Sequence, residues 1–257
     1  MKKTALLAAA AALMAATPAA AHGYLGLEYG SNTIDLGGDV DFDVWQGEGA
    51  VGFGGAAWGG QVDGSVGNLE ADTGGDADFW TLGGHLWWKG DGWRLGGVIS
   101  TSQLSGGGDD IEEWAYGIEG TYDVGANTVL LSALTTGESD AGGGSTADTF
   151  NWDFGANFYA TPNFRFGGHF GVGNIDVGAA DADTSSFGLN AEFQPWSAPV
   201  SFTLAYDRYE IDDVDVEGSA IKVGARWNFG GGTIRDRDNA APFDSNTGYI
   251  NRLYGVW

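Results

Sequence analysis

Residues 148–160, DTFNWDFGANFYA, alternate between two kinds of side chain. In an extended chain, one face carries Phe150, Trp152, Phe154, Ala156 and Phe158, and the other carries Asn151, Asp153, Gly155, Asn157 and Tyr159. Because successive side chains of a β-strand point to opposite faces, this period of two predicts a strand that separates an apolar environment from a polar one.

The same pattern recurs from Gly23 to Phe229 and predicts an all-β, antiparallel, up-and-down meander of about twelve strands, within a range of 10 to 14. Run 128–137 is the weakest, because Leu130 and Leu134 fall on the face that we interpret as polar. The predicted strands are 23–32, 43–53, 58–69, 78–89, 93–104, 111–124, 128–137, 148–160, 164–176, 185–196, 200–210 and 219–229.

A soluble β-sandwich also alternates, but the tryptophans favour a transmembrane β-barrel. The apolar face carries Trp58, Trp80, Trp88, Trp93, Trp114, Trp152 and Trp227, many of them near the ends of runs. Aromatic girdles of this kind lie at the lipid–water boundaries of membrane barrels, whereas a sandwich would have to pack all these rings into one core. The 46 glycines disfavour helices, and the absence of cysteine shows that no disulfide stabilises the fold.

The connections alternate in predicted length. Five are short and rich in Gly, Pro and Asn: 54–57, 90–92, 125–127, 161–163 and 197–199. Six are longer and contain acidic residues but no Lys or Arg: 33–42, 70–77, 105–110, 138–147, 177–184 and 211–218. Short periplasmic turns and longer outer loops are typical of outer-membrane barrels, so we expect an acidic outer rim.

The net charge of the chain is −24. This charge argues against nucleic acid as a partner, since phosphate would be repelled.

The amino-terminal residues have the features of a secretory signal peptide. Lys2 and Lys3 precede the apolar run 5–16, and Ala19-Ala20-Ala21 offers small residues for cleavage after Ala21. The run is shorter than the roughly 20 apolar residues that a membrane-spanning helix needs. We therefore predict a signal peptide at 1–21, a transmembrane barrel at 22–229, and export to the outer membrane of a Gram-negative bacterium.

Residues 222–229, KVGARWNF, resemble the β-signal in the last strand of outer-membrane barrel proteins. Lys222 supplies the polar position, Gly224 the glycine, Trp227 the aromatic and Phe229 the final aromatic. Together with the signal peptide and the twelve runs, the chain is similar to porin-like outer-membrane barrels over about residues 1–229. The resemblance implies outer-membrane lipid, lipopolysaccharide and the barrel assembly machinery as partners; it gives no oligomeric state.

The sequence departs from this family after Phe229, where 28 further residues follow. Gly230-Gly231-Gly232 ends the strand, and Arg235-Asp236-Arg237-Asp238 is a block of mixed charge. We expect 230–257 to be a periplasmic or lumen-associated tail. An alternative makes 247–257 the closing strand, but Arg252 then occupies the glycine position.

If the apolar face meets lipid, the polar face lines a lumen. The predicted pore-lining residues are Glu28, Glu48, Asp63, His85, Lys89, Arg94, Glu113, Glu119, Asp153, Arg165, His169, Glu192, Asp207, Lys222 and Arg226. We expect this lumen to be acidic towards the outer loops and of mixed charge towards the periplasm. Inward glycines favour open space, although they also serve barrel curvature.

The acidic rim and the polar, glycine-rich lumen favour a porin-like channel for passive diffusion of ions or small hydrophilic solutes, with cation preference from the carboxylates. The alternative is a plugged structural or adhesive barrel whose acidic outer loops bind divalent cations. We predict no enzymatic activity: neither His85 nor His169 is followed two positions later by a serine, and both point inward. No cofactor and no specific metal site are expected, because no His–Glu spacing suits zinc.

Overall fold

The computed structural model describes residues 21–35, 37–72, 74–106, 109–140, 146–178, 180–195, 198–212, 216–243 and 252–253. The predicted signal peptide therefore lies, except for Ala21, outside the described residues, as does most of the alternative closing segment 247–257. None of the described helical stretches has the length and apolar character needed to cross a membrane.

The described residues form twelve antiparallel strands that close into one barrel, as the alternation predicted. Each strand pairs with its neighbours in sequence, and β1 closes the barrel by pairing with β12. The elements are β1 His22–Asp35, β2 Asp39–Gly54, β3 Trp58–Ala71, β4 Asp76–Gly90, β5 Trp93–Gly106, β6 Asp109–Val124, β7 Thr128–Asp140, β8 Thr146–Thr161, β9 Phe164–Val177, β10 Ala180–Phe193, β11 Val200–Ile211, β12 Val216–Phe229 and α1 Ile234–Ala240.

Closure between β1 and β12 places Gly23 opposite Phe229 and Glu28 opposite Gly224. The closing strand is therefore the one that ends at Phe229, as predicted, and Arg252 and Leu253 instead belong to a helical turn. Gly224 suits this seam, because a Cβ there would lie 2.6 Å from Thr203 Oγ1 and 3.0 Å from the Leu27 carbonyl oxygen. Whether 222–229 acts as an assembly signal stays a prediction.

The division into short and long connections is wrong. The strands continue past the predicted ends, so that connections 36–38, 72–75, 107–108, 141–145, 178–179 and 212–215 are as short as those at the other end. We call the barrel end that carries these six connections the acidic end, and the end that contains His22 and Phe229 the turn end. Most acids assigned to long loops lie instead on strand ends, where ladder pairing with both neighbours overrides their low strand propensity.

Carboxylates face one another across neighbouring strands on the outer wall of the acidic end. Glu138 of β7 pairs with Asp148 of β8, Asp148 with Asp176 of β9, and Asp176 with Asp181 of β10. A second row joins Glu210, Glu217, Asp35 and Asp39 across β11, β12, β1 and β2. We call these eight residues the acidic collar.

The outer wall below the collar is apolar, with aromatic rings towards both ends. Trp58 and Trp88 face each other near the turn end, and Trp45 lies near the acidic end. Between them lie exposed aliphatic side chains such as Leu27 (73% exposed) and Leu95 (55% exposed). This is the surface that a lipid bilayer covers, with amphipathic rings at its two boundaries.

Strand β7 faces the opposite way from the predicted orientation. Leu130 is 43% exposed and pairs with outward Ala156, and Leu134 pairs with outward Trp152, so both leucines lie on the outer wall. Val129, which is 7% exposed, points inward. The orientation of β7 was predicted wrongly because both faces of this strand carry apolar residues.

Candidate functional site: the occupied lumen

All fifteen predicted pore-lining residues lie on the inward face of their strands. Seven are buried: Glu28, Glu48, His85, Glu113, Glu119, Glu192 and Lys222. The other eight are half-buried: Asp63, Lys89, Arg94, Asp153, Arg165, His169, Asp207 and Arg226. They supply eight carboxylates against five Lys and Arg. Whether they line a conducting pore stays a prediction, because many contact one another or the C-terminal segment.

The C-terminal segment occupies the lumen. It follows β12 through three consecutive glycines, and helix α1 then begins after Thr233. The backbone N–H of Arg235 donates to the Pro162 carbonyl oxygen in the β8–β9 turn at 3.1 Å, which fixes the helix at the turn end. The side chain of Ile234 is fully buried against Val129 and Tyr159.

Helix α1 has its own N-terminal cap. The Thr233 hydroxyl accepts from the backbone N–H of Asp236, and the Asp236 carboxylate accepts from the backbone N–H of Thr233 at 2.9 Å. These backbone and hydroxyl hydrogen bonds lower the pKa of Asp236 below its ordinary value. This reciprocal capping box satisfies two N–H groups that would otherwise lack a partner at a helix start.

A network of charges joins α1 to the lumen wall around Glu192. Arg237 donates from both terminal nitrogens to Glu192, at 2.6 and 2.8 Å. Two wall guanidiniums approach the same carboxylate, Arg226 at 3.2 Å and Arg165 at 3.3 Å. Arg226 also forms a bidentate pair with Glu48, at 2.7 and 3.1 Å. A carboxylate held by three guanidiniums in a buried site is stabilised only while its partners stay in place.

The network extends through the next residue of the helix. Asp238 accepts from Arg165 at 2.8 Å and from the Tyr159 hydroxyl at 2.9 Å. Its other carboxylate oxygen accepts from Arg237 at 2.7 Å. The guanidiniums of Arg226 and Arg237 lie 4.3 and 5.1 Å from the centre of the Tyr24 ring, within the range of cation–π attraction. We call Glu48, Arg165, Glu192, Arg226, Arg237 and Asp238 the turn-end network.

Farther into the lumen, the wall clamps the backbone of Phe243. The Phe243 N–H donates to Gln61 Oε1 at 3.2 Å, and Gln61 Nε2 donates to the Phe243 carbonyl oxygen at 2.7 Å. The Phe243 ring stacks on His85 with centroids 5.8 Å apart and planes 10° apart. It also meets the edge of buried Trp87 at 5.3 Å.

His85 lies between two carboxylates on neighbouring parts of the wall. Its Nε2 is 2.9 Å from Asp63 Oδ2, and its Nδ1 is 2.9 Å from Glu119 Oε1. Because the two acids lie on opposite sides of the ring, they do not converge on one point. Within the described residues, no group of three or more His, Asp or Glu is arranged to hold a metal ion.

The middle of the lumen contains a cavity of about 300 Å³ that many charged and polar side chains line. Lys222 and Asp207 form an ion pair of 2.9 Å at its wall, and Gln46 donates to Glu28 at 2.8 Å. Among the described residues, several buried oxygens in the wall have no protein hydrogen-bond partner: Ser65 Oγ, Thr135 Oγ1, Ser186 Oγ, Asn190 Oδ1 and Thr203 Oγ1. Buried polar atoms of this kind are ordinarily satisfied by water.

The lumen at the acidic end is apolar, which corrects the prediction of an acidic lumen there. The inward apolar residues are Ile34, Phe42, Val44, Leu69, Ala77, Phe79, Leu104, Ile111, Ala147, Ile175, Ala182, Tyr209, Ile211, Val216 and the tail residue Leu253. We call this set the apolar ring. Val44 and Leu69 are each 2% exposed, so these side chains are packed rather than bordered by open water. Most acids of this end face outward, and eight of them form the collar.

The sequence reasoning missed the tail residues that bind the wall. Arg252 donates from both terminal nitrogens to Asp153, at 2.8 and 2.6 Å, halfway along β8. Leu253 packs against Ile34, Ile175 and Ile211 in the apolar ring. The segment therefore contacts the lumen wall from the turn end to the acidic end. One signal was available: the spacing Thr233–Asp236 is that of a capping box.

Comparison with known proteins identifies the fold alone. No family model and no curated protein matches the chain. An outer membrane channel from Pseudomonas putida F1 has a TM-score of 0.57 and 11% identity, over 83% of this chain and 97% of that one. The β-domain of the Bordetella autotransporter BrkA has a TM-score of 0.55 and 14% identity, over 82% and 100%. The translocator domain of the autotransporter NalP from Neisseria meningitidis has a TM-score of 0.53 and 13% identity, over 89% and 95%. The chain thus has the fold of outer-membrane β-barrels.

Proposed function

We propose that this protein is a porin-like channel of the bacterial outer membrane that passes ions or small hydrophilic solutes and prefers cations. The observation that carries the proposal is the cavity in the middle of the lumen, in a wall whose fifteen predicted pore-lining residues include eight carboxylates against five Lys and Arg. A barrel that serves only as a membrane scaffold does not require buried wall oxygens that must be satisfied by water.

Cation preference follows from the excess of carboxylates on the barrel wall. Glu28, Asp153 and Asp207 line the cavity, where Lys222 pairs with Asp207 and Arg252 of the C-terminal segment pairs with Asp153. Rings of carboxylates raise the local concentration of cations in a narrow passage. Each carboxylate that is paired with a guanidinium contributes less, so the selectivity should depend on the unpaired excess.

The test is reconstitution of the full-length mature chain in planar bilayers that separate two KCl concentrations. We expect discrete conductance steps whose reversal potential shifts towards that of K⁺. Glu28→Gln with Asp207→Asn should weaken the preference, whereas Asp91→Asn, in a turn outside the lumen, should not change it. Chloride selectivity, or silence of both the full-length protein and a variant that ends at Gly232, would contradict the proposal.

A second candidate function is a permanently closed structural barrel, and the apolar ring favours it. Leu69 and Phe79 are 2% and 3% exposed, so packed apolar side chains rather than hydrated polar ones line the wall at the acidic end. Such a barrel would show no conductance under any condition and with any tail. Silence in bilayers, combined with normal insertion, would therefore favour this candidate over the channel.

A further inference from the structure

We propose that the C-terminal segment is a hinged plug, which closes the channel through α1 at the turn end and Leu253 at the acidic end, and whose release opens it. This inference rests on the proposed channel function. It assigns a regulatory role to Gly230–Phe243 and Leu253, which the barrel itself does not need for closure, since β1 and β12 pair directly.

The link between β12 and α1 is built as a hinge. Gly230, Gly231 and Gly232 have φ angles of +88°, +77° and +91°, a region that other residues rarely adopt. A Cβ on Gly230 would lie 2.4 Å from the Ala21 carbonyl oxygen, whereas Gly231 has open space around it. Three glycines in succession allow the following segment to change direction at small steric cost.

The helix carries its own start signal. Its capping box uses only Thr233 and Asp236, so the cap itself does not depend on the barrel wall. Arg237 and Asp238 also pair with each other, at 2.7 Å. The segment can therefore leave with its cap and a charge pair intact.

The wall keeps its charge balance when α1 departs. Glu192 retains Arg165 and Arg226, and Glu48 retains its bidentate bond to Arg226. Removing one member of a buried ion pair is costly because it leaves an uncompensated charge. In the turn-end network that cost is reduced, since two basic and two acidic wall residues remain paired. This is the arrangement expected of a contact that opens and closes.

The same segment supplies the apolar contacts that favour the closed state. Ile234 and Leu253 are fully or nearly fully buried, and Phe243 stacks on His85. Arg252 anchors the end of the segment on Asp153. Because one segment contributes to the closure at both ends of the lumen, its removal should affect both.

The experiment compares four proteins by bilayer conductance: the full chain, a variant that ends at Gly232, Arg237→Gln, and Arg94→Cys with Asn239→Cys. Arg94 donates to Asn239 at 2.9 Å, so a short thiol-reactive cross-linker can join these positions in a chain that has no other cysteine. Arg235→Gln is the matched control for the charge change. Folding of each variant is checked by its heat-modifiable migration on gels.

We expect the full chain to be closed most of the time, with brief openings. The variant that ends at Gly232 should stay open, and Arg237→Gln should raise the open probability on the order of tenfold, because a charge-assisted hydrogen bond is lost. The cross-linked double variant should be silent until a reducible linker is cleaved.

Equal conductance of the full, truncated and cross-linked proteins would overturn the plug while leaving the channel function intact. Silence of all variants that fold would overturn both. Cross-linked protein that conducts normally would by itself contradict the plug, whatever the truncated chain does.

Discussion

The two ends of the lumen are packed by different physical means. At the turn end, Glu192 and its three guanidiniums hold α1 by directed, charge-assisted hydrogen bonds. At the acidic end, Val44, Leu69 and Phe79 pack against one another on the inner wall by apolar contact, which has no directional requirement. A single barrel wall can thus combine charge-assisted hydrogen bonds at one end with apolar packing at the other.

The largest effect should come from Glu192→Ala at the turn end. The substitution leaves Arg165, Arg226 and Arg237 together without their shared carboxylate. Uncompensated buried charge costs about 3–5 kcal/mol, so we expect a loss of that order in the free energy of unfolding, together with release of α1. Urea unfolding in detergent micelles, followed by tryptophan fluorescence, measures it. Glu138→Ala, on the exposed collar, is the control and should have little effect.

Leu69→Ala should lower the free energy of unfolding by weakening the apolar packing at the acidic end. We expect a loss of about 2–3 kcal/mol, at the low end for buried leucine because a barrel end can relax into the space. Leu95→Ala removes the same atoms from the lipid-facing wall and is the matched control. Equal losses in the two variants would show that the ring is no more tightly packed than the outer wall.

The contrast between the ends also explains what the sequence could predict. Below the collar, the outward faces follow one rule, because the wall there is apolar on every strand, so Phe150, Trp152 and their counterparts predicted twelve strands and the closing strand. The inward faces follow no single rule. Leu69 and Phe79 share a face with Asp63 and His85, and a strand-by-strand pattern cannot show that such residues from eleven strands meet in one ring.

The contacts of the tail with the wall could not be predicted from the sequence for a different reason. Its contacts with Glu192 and Asp153 join residues far apart in sequence, and neither spacing nor periodicity specifies such pairs. The predicted loop lengths failed because acids and glycines have low strand propensity, whereas pairing with two neighbours kept them in strands.

A smaller effect is expected from the cap that starts α1. Thr233→Ala should cost about 1 kcal/mol of helix stability, and Thr233→Ser should restore most of it. Because the pKa of Asp236 is lowered, its contribution is complete above the ordinary value of about 3.9 and is lost as the pH falls through the lowered value. Hydrogen exchange of the α1 amides, corrected for intrinsic rates, measures both effects. Exchange that is the same in Thr233→Ala and the parent protein would show that the wall alone holds the helix.

The smallest effect should come from the acidic collar, which belongs to neither closure. Asp176 faces Asp148 on one side and Asp181 on the other, and like charges directly opposite each other destabilise a sheet by roughly a few tenths of a kcal/mol per pair. Asp176→Asn should therefore stabilise the barrel slightly, and added salt should reduce the difference from the parent by screening the repulsion. Asp91→Asn, at the turn end and away from other carboxylates in its turn, is the control.

A separate measurement distinguishes screening from binding of Mg²⁺ at the collar. The thermal midpoint of the parent protein is compared in Mg²⁺ and in monovalent salt of equal ionic strength. A larger rise in Mg²⁺, abolished by Asp176→Asn, would show that the collar binds the divalent ion as well as being screened by it. Destabilisation by Asp176→Asn without Mg²⁺ would show instead that its hydrogen bond from Asn174 outweighs the repulsion.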